Sequence, residues 1–124
     1  MHRSRLHVVL IDSPPESAER EVSFWAAALG RNPTPEVGTP FTVLSQLAGG
    51  ELLAHQRLQD GDSRIHFDIE TDDPQAEVSR LEALGAVRVG EHDGCVQLRD
   101  PADLIFCVVP VQSDDFEQHA TTWD

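Results

Sequence analysis

From Arg64 to Glu70 the chain alternates strictly: Ile65, Phe67 and Ile69 are apolar, with His66, Asp68 and Glu70 between them. A period of two predicts a strand with one apolar and one polar face. "TDDP" follows, offering Asp73 as an N-cap and Pro74 as the first helical residue. Val78, Leu81 and Leu84 then recur at helical spacing, and Gly85 ends that helix. "AVRVGE" (86–91), "CVQLR" (95–99) and "LIFCVVP" (104–110) read as three further strands. "HDG" links the first two, and "DPAD", a type I turn with proline second, links the last two. The last strand is apolar almost throughout, as a central, buried strand would be.

The first half repeats this order. Leu6 to Ile11 is β-branched and apolar enough for a largely buried strand, and "DSPPES" breaks it. Ala18, Val22, Trp25 and Leu29 mark a helix over 17–29 that Gly30 closes. "RNPTPEVGTP" is a loop or ragged edge strand. "FTVLSQLA" (41–48) and "ELLAHQRL" (51–58) flank Gly49-Gly50 as a hairpin, and "QDGDS" is the break between halves. Both halves therefore run strand, turn, helix ending Ala-Leu-Gly, then about three strands. His7 and His66 occupy the same place in the two copies, 59 residues apart. Identity beyond those residues is thin, so the matched order of elements carries the duplication.

These residues, "RIHFDIETDDPQAEVSRLEALGA" and "GCVQLRDPADLIFCVVP" above all, resemble the vicinal oxygen chelate superfamily. That group includes glyoxalases, ring-cleaving dioxygenases and bleomycin-resistance proteins, and the chain looks most like its short bacterial glyoxalase-like domains. The resemblance spans about residues 5–112 and is thinnest over 30–50. "LRDPADLIFCVV" is similar to the family's Asp-Pro turn and terminal strand, although Ala102, Asp103 and Leu104 depart from the usual Gly-Asn. What this implies is an α+β fold of two βαβββ modules forming a curved, cleft-enclosing mixed sheet. Module one would cover about 5–59 and module two about 63–111, with a polar tail over 112–124 carrying Phe116 and Trp123.

In metal-dependent members the first strand of each module supplies a ligand, commonly His. The last strand supplies another, commonly Glu, Gln or His. By position the resemblance implies His7, Gln56, His66 and Cys107, around a divalent zinc, nickel, iron or manganese ion, or no metal at all. Imidazole suits zinc, nickel and iron, whereas a thiol where a carboxylate usually stands softens the site. Cys107 also reads as an ordinary core residue, since "LIF" and "VV" flank it. His55 is a stronger ligand than Gln56, but strand alternation lets only one of the two face the cleft. Asp68 and Glu70 share a face with His66, and either could act as a general base or orient the imidazole. The competing reading is a polar face turned to water.

Composition narrows the partners. Twenty-two acidic against nine basic residues give a net charge of −13, which argues against nucleic acid and against an anionic membrane. No apolar run is long enough to span a membrane, and Leu6 to Ile11 is too short for a signal sequence, so the expected setting is the cytoplasm. If "DPAD" fills the last turn, Arg99 faces Leu104 and Cys95 faces Val108. Cys95 and Cys107 would then lie on opposite sides of the sheet, with no disulfide between them. Two functions follow. One is a metal-dependent lyase, isomerase or dioxygenase acting on vicinal oxygens. The other is a metal-free binding or sequestration protein of the bleomycin-resistance type. Either would take a small-molecule ligand, and the family resemblance implies a homodimer.

Overall fold

The computed structural model describes all 124 residues, Met1–Asp124. In chain order the elements are β1 (His2–Ser13), α1 (Pro15–Leu29), β2 (Thr34–Pro35), β3 (Phe41–Gln46) and β4 (Leu52–Arg57). There follow β5 (Arg64–Thr71), α2 (Pro74–Ala83), β6 (Val87–His92), β7 (Cys95–Arg99) and β8 (Ile105–Pro110). A short helix α3 (Phe116–His119) and strand β9 (Thr121–Trp123) close the chain. The α+β class and two successive βαβββ runs are as the sequence predicts. β1 is longer than expected, because His2, Ser4 and Arg5 are held by polar partners that no hydropathy pattern reveals. The chain packs as two compact units, Val8–Ile65 and Met1–His7 with His66–Asp124.

In the 8–65 unit the strands run β2, β3, β4, β1. The β3–β4 hairpin closes through Leu47 and Glu51, whose backbones bond at 2.7 Å, with a bulge between Val43 and Ser45. β4 then lies parallel to β1, Leu10 beside Ala54 and Ile11 beside His55. Neighbouring residues point to opposite faces, which gives two apolar clusters. Ile11, Leu44 and Leu53 pack against Ala26, Val22 and Trp25 of α1. Val8, Leu10 and Ala54 pack with Phe41 and Leu52. Gly30 takes the left-handed conformation (φ 65°) that ends α1.

In the 66–124 unit the order is β9, the start of β1, β5, β8, β7, β6. β8 is central, parallel to β5 and antiparallel to β7. Asp73 caps α2 by accepting the Ala76 N–H, and Pro74 begins it, as predicted. Val78 of α2 packs on Val96, Leu98 and Val108, with Leu81 and Phe106 at the margin. Leu98 and Val108 are fully buried, each contributing about 1.5–3 kcal/mol. The tail returns to the start of β1: Trp123 donates to Ser4 Oγ at 2.8 Å, and Arg80 stacks 3.7 Å over its ring.

The structure decides between the two readings of β5 and corrects one expectation. The apolar side of β5 is the more exposed one: Ile65 and Phe67 are 59% and 47% exposed, whereas His66 is 7% and Glu70 is 0%. Glu70 stays charged there because Arg5, Ser113 and two backbone N–H groups satisfy it. The corrected expectation is register. Gln97, not Val96, pairs with Cys107, and Arg99 pairs with Ile105. The turn over Asp100–Asp103 forms where expected, with the Asp103 N–H bonded to the Asp100 carbonyl at 2.9 Å. Asp103 then adopts the left-handed conformation (φ 68°), adding a residue to the connection. Cys95 and Cys107 consequently share a face.

Candidate metal centre

His66 and Asp68 project from one face of β5, and Cys107 of β8 stands directly beside Asp68 in the parallel register. The ligand atoms of all three lie within 4.8 Å of one another. Asp68 Oδ1 is 3.3 Å from His66 Nε2, yet it is buried without an aligned hydrogen-bond partner. A buried carboxylate oxygen in that state is costly unless something else meets it. Imidazole, carboxylate and thiol form a donor set that suits a borderline divalent ion. Three donors on two adjacent strands therefore fit a metal.

Cys95 joins this face from β7. Its thiol is hydrogen-bonded to the Cys107 side chain, which holds it below the usual thiol range. Burial and the Asp68 charge push it the other way, while His66 adds to the lowering. Neither cysteine is in a disulfide. Sequence reasoning missed Cys95 because the register was one residue out. The available signal was Asp103, since Asp is among the few residues that tolerate a left-handed backbone at such a turn.

His7, midway along β1, belongs to the same unit. Its Nδ1 is buried with no hydrogen-bond partner, 3.9 Å from Glu70 Oε2. Glu70 itself is fully engaged. Arg5 Nε donates to it at 2.7 Å, and the Ser113 hydroxyl and the Gln112 and Ser113 N–H groups complete its shell. Burial pushes its carboxyl up, but Ser113, Gln112 and Arg5 outweigh this and hold it below the ordinary carboxylate range. Arg5 also bonds Ser113 and Asp115, so Glu70 anchors the tail. Those partners had no signal in the sequence.

Gln56 and His55 belong to the 8–65 unit. Gln56 is half-buried. His55 is 2% exposed and bonded through Nε2 to Ser13 Oγ. Burial holds its imidazole below the ordinary range against the charges of Glu21 and Asp12. The unit also contains a cavity of about 500 Å³ lined by Ala18, Glu19, Val22, Glu36, His55 and Arg57 among others. No helix in the chain is long and apolar enough to cross a membrane.

Comparison with solved structures gives the fold a wider setting. The chain is similar to the NAD-dependent benzaldehyde dehydrogenase structure from Legionella pneumophila, with TM-score 0.62 and 12% identity over 85% of this chain and 98% of that one. A hypothetical protein from Bacillus halodurans C-125 has TM-score 0.57 and 10% identity over 90% and 96% of the two chains. Homoprotocatechuate 2,3-dioxygenase from Arthrobacter globiformis has TM-score 0.53 and 18% identity over 88% of this chain but 36% of its own. At these identities the likeness is one of fold. No curated protein matches the chain by sequence. The family model described as a glyoxalase-like domain matches residues 8–109, and the chain belongs to that family.

Proposed function

We propose that the chain is a small-molecule enzyme with a divalent-metal centre at His66, Asp68 and Cys107. Its reaction class would be that of a lyase, isomerase or dioxygenase working on vicinal oxygens. The observation that carries this is the convergence of three different donor atoms within 4.8 Å on one face of β5 and β8. Zinc, iron, nickel and manganese are the candidate ions, and a bound ion would act as a Lewis acid toward ligand oxygens. The chain's own residues supply the rest. Asp68 Oδ1, 3.3 Å from His66 Nε2 and without a hydrogen-bond partner, would supply the negative charge of the donor set. His7 offers a buried Nδ1 with no hydrogen-bond partner, a group that can hold a ligand oxygen or take up its proton. Glu70, which the sequence offers as a base alongside Asp68, serves as the anchor that fixes Arg5 and the tail beside this face. The setting is the cytoplasm, where both cysteines stay reduced, and the working form is a homodimer.

Metal analysis of the chain purified without chelators tests the reading. Wild type should carry a stoichiometric divalent ion that His66→Ala loses, while His7→Ala keeps the ion and loses affinity for vicinal-oxygen ligands. A metal-free wild type that cannot be reloaded ends it.

A second reading, metal-free sequestration of a cationic small molecule, draws support from the cavity of about 500 Å³ in the 8–65 unit. Glu19 and Glu36 line it on a chain of net charge −13. A thermal-shift screen separates the two. Stabilisation by organic cations and not by metals favours sequestration, and stabilisation by metals alone counts against it.

A further inference from the structure

We propose that Cys95 is a fourth metal-binding group, so that the 66–124 unit by itself forms a two-thiolate, one-imidazole, one-carboxylate centre selective for zinc and cadmium over manganese. This rests on the metal reading above and gives its site a fourth ligand and a selectivity.

Strand register is the first argument. Gln97 pairs with Cys107, so Cys95, two residues before Gln97, lies on the Cys107 side of the sheet. Cys107 in turn pairs with Asp68, and His66 sits two residues earlier on the same side of β5. Three adjacent strands, β5, β8 and β7, thus carry the four donors on one face of the sheet, with Cys107 between Cys95 and Asp68. The second argument is contact. Cys95 is hydrogen-bonded to the Cys107 side chain, and the charges of both Asp68 and His66 act on its thiol. Cys95 thus touches Cys107 and lies within electrostatic reach of Asp68 and His66, while Asp68 Oδ1 remains a buried oxygen without a hydrogen-bond partner.

The frame is rigid where it needs to be. β7 is fixed on one side by the Asp93-Gly94 turn, both residues at positive φ, and on the other by Asp103. Leu98 and Val108, both fully buried, lock the opposite face of β7 and β8. Strands whose far faces are packed hold the backbone of these donors in place. Cys95 is only partly buried, which leaves an approach from solvent.

The chemistry sets the selectivity. Two sulfur donors with one imidazole favour soft and borderline ions, whereas manganese prefers oxygen. Each coordinating thiol must lose its proton, so loading releases protons to solvent as metal–sulfur bonds form. No oxidant or reductant is involved.

The test is a cobalt(II) titration of the full chain, read by thiolate-to-metal charge-transfer absorbance, with zinc, cadmium and manganese as competitors. Wild type should show about twice the absorbance of Cys95→Ser or Cys107→Ser, and the double variant none. Cys95→Ser should weaken zinc and cadmium at least tenfold and manganese less than twofold. Zinc should also protect Cys95 of the unaltered protein from alkylation, a readout that needs no variant to fold. Full charge-transfer absorbance in Cys95→Ser, or alkylation of Cys95 undiminished by saturating zinc, overturns the proposal while the three-ligand reading stands. A wild type that binds no ion of any kind defeats that underlying reading, and this one with it.

Discussion

His55 and His66 are both strand histidines buried almost completely, 2% and 7% exposed, yet they are chemically unlike. His55 in the 8–65 unit bonds a serine hydroxyl, and burial keeps it neutral. His66 in the other unit faces a carboxylate and stands within reach of a thiol. The residue type and the burial are the same, so the neighbours decide: one imidazole is a structural hydrogen-bonding group and the other is a candidate ligand. A histidine in a strand pattern is thus uninformative until the strands beside it are placed.

The sharpest way to break this contrast is to remove what holds each side. Glu70→Ala leaves Arg5, 5% exposed, as a buried cation without its main partner. It should cost about 3–5 kcal/mol in chemical denaturation. A loss below 1 kcal/mol would mean that the anchor is not structural. In the 8–65 unit, Ser13→Ala deprives His55 of its hydroxyl partner and should cost about 1–3 kcal/mol, with no effect on ion binding. If metal affinity fell with it, the separation between a structural and a ligating histidine would fail.

Acid should then distinguish the units. The imidazole of His55 is depressed in the fold, so its neutral form contributes fully above the ordinary histidine value of about 6.5 and that contribution is lost as pH falls. Glu70 and Glu77 are also depressed. Burial raises Glu77, but Arg80, His2 and Ser4 outweigh it. Their contribution is complete above the ordinary glutamate value of about 4.3 and is lost only at lower pH. Hydrogen exchange at pH 5.5 should therefore show faster amides at Leu10 and Ala54, and unchanged amides at Leu98 and Val108. Equal loosening of both sets would contradict the assignment. The smallest effect is Asp73→Ala, which removes one cap from α2. It should cost about 1 kcal/mol by thermal melting and leave cobalt absorbance intact.

Elements with strong local chemistry were legible in the sequence. Asp73-Pro74 fixed the start of α2, Gly30 the end of α1, and strict alternation located β5, because each signal lies within a few residues of what it specifies. The side of β5 that is buried was not legible. That depends on Arg5, Ser113 and the Gln112 N–H, residues 42 to 65 positions away from Glu70. Likewise His66 and Cys107 could be singled out by position, whereas Cys95 required the correct strand phase. Pairing across a turn is decided by one backbone torsion, which hydropathy does not record.

The left-handed residue at Asp103 has a consequence for how this protein can vary. The nearness of the two sulfurs is encoded as a length, the number of residues between Arg99 and Ile105, and not only as two cysteines. Deleting one residue of that connection would shift β7 against β8 by one step and turn Cys95 away, with both cysteines still present. Sequences of the same family that keep both cysteines but change this loop by one residue would have lost the pair, whereas a glycine at 103 would preserve it. For this protein, loop length is part of the candidate active-site chemistry.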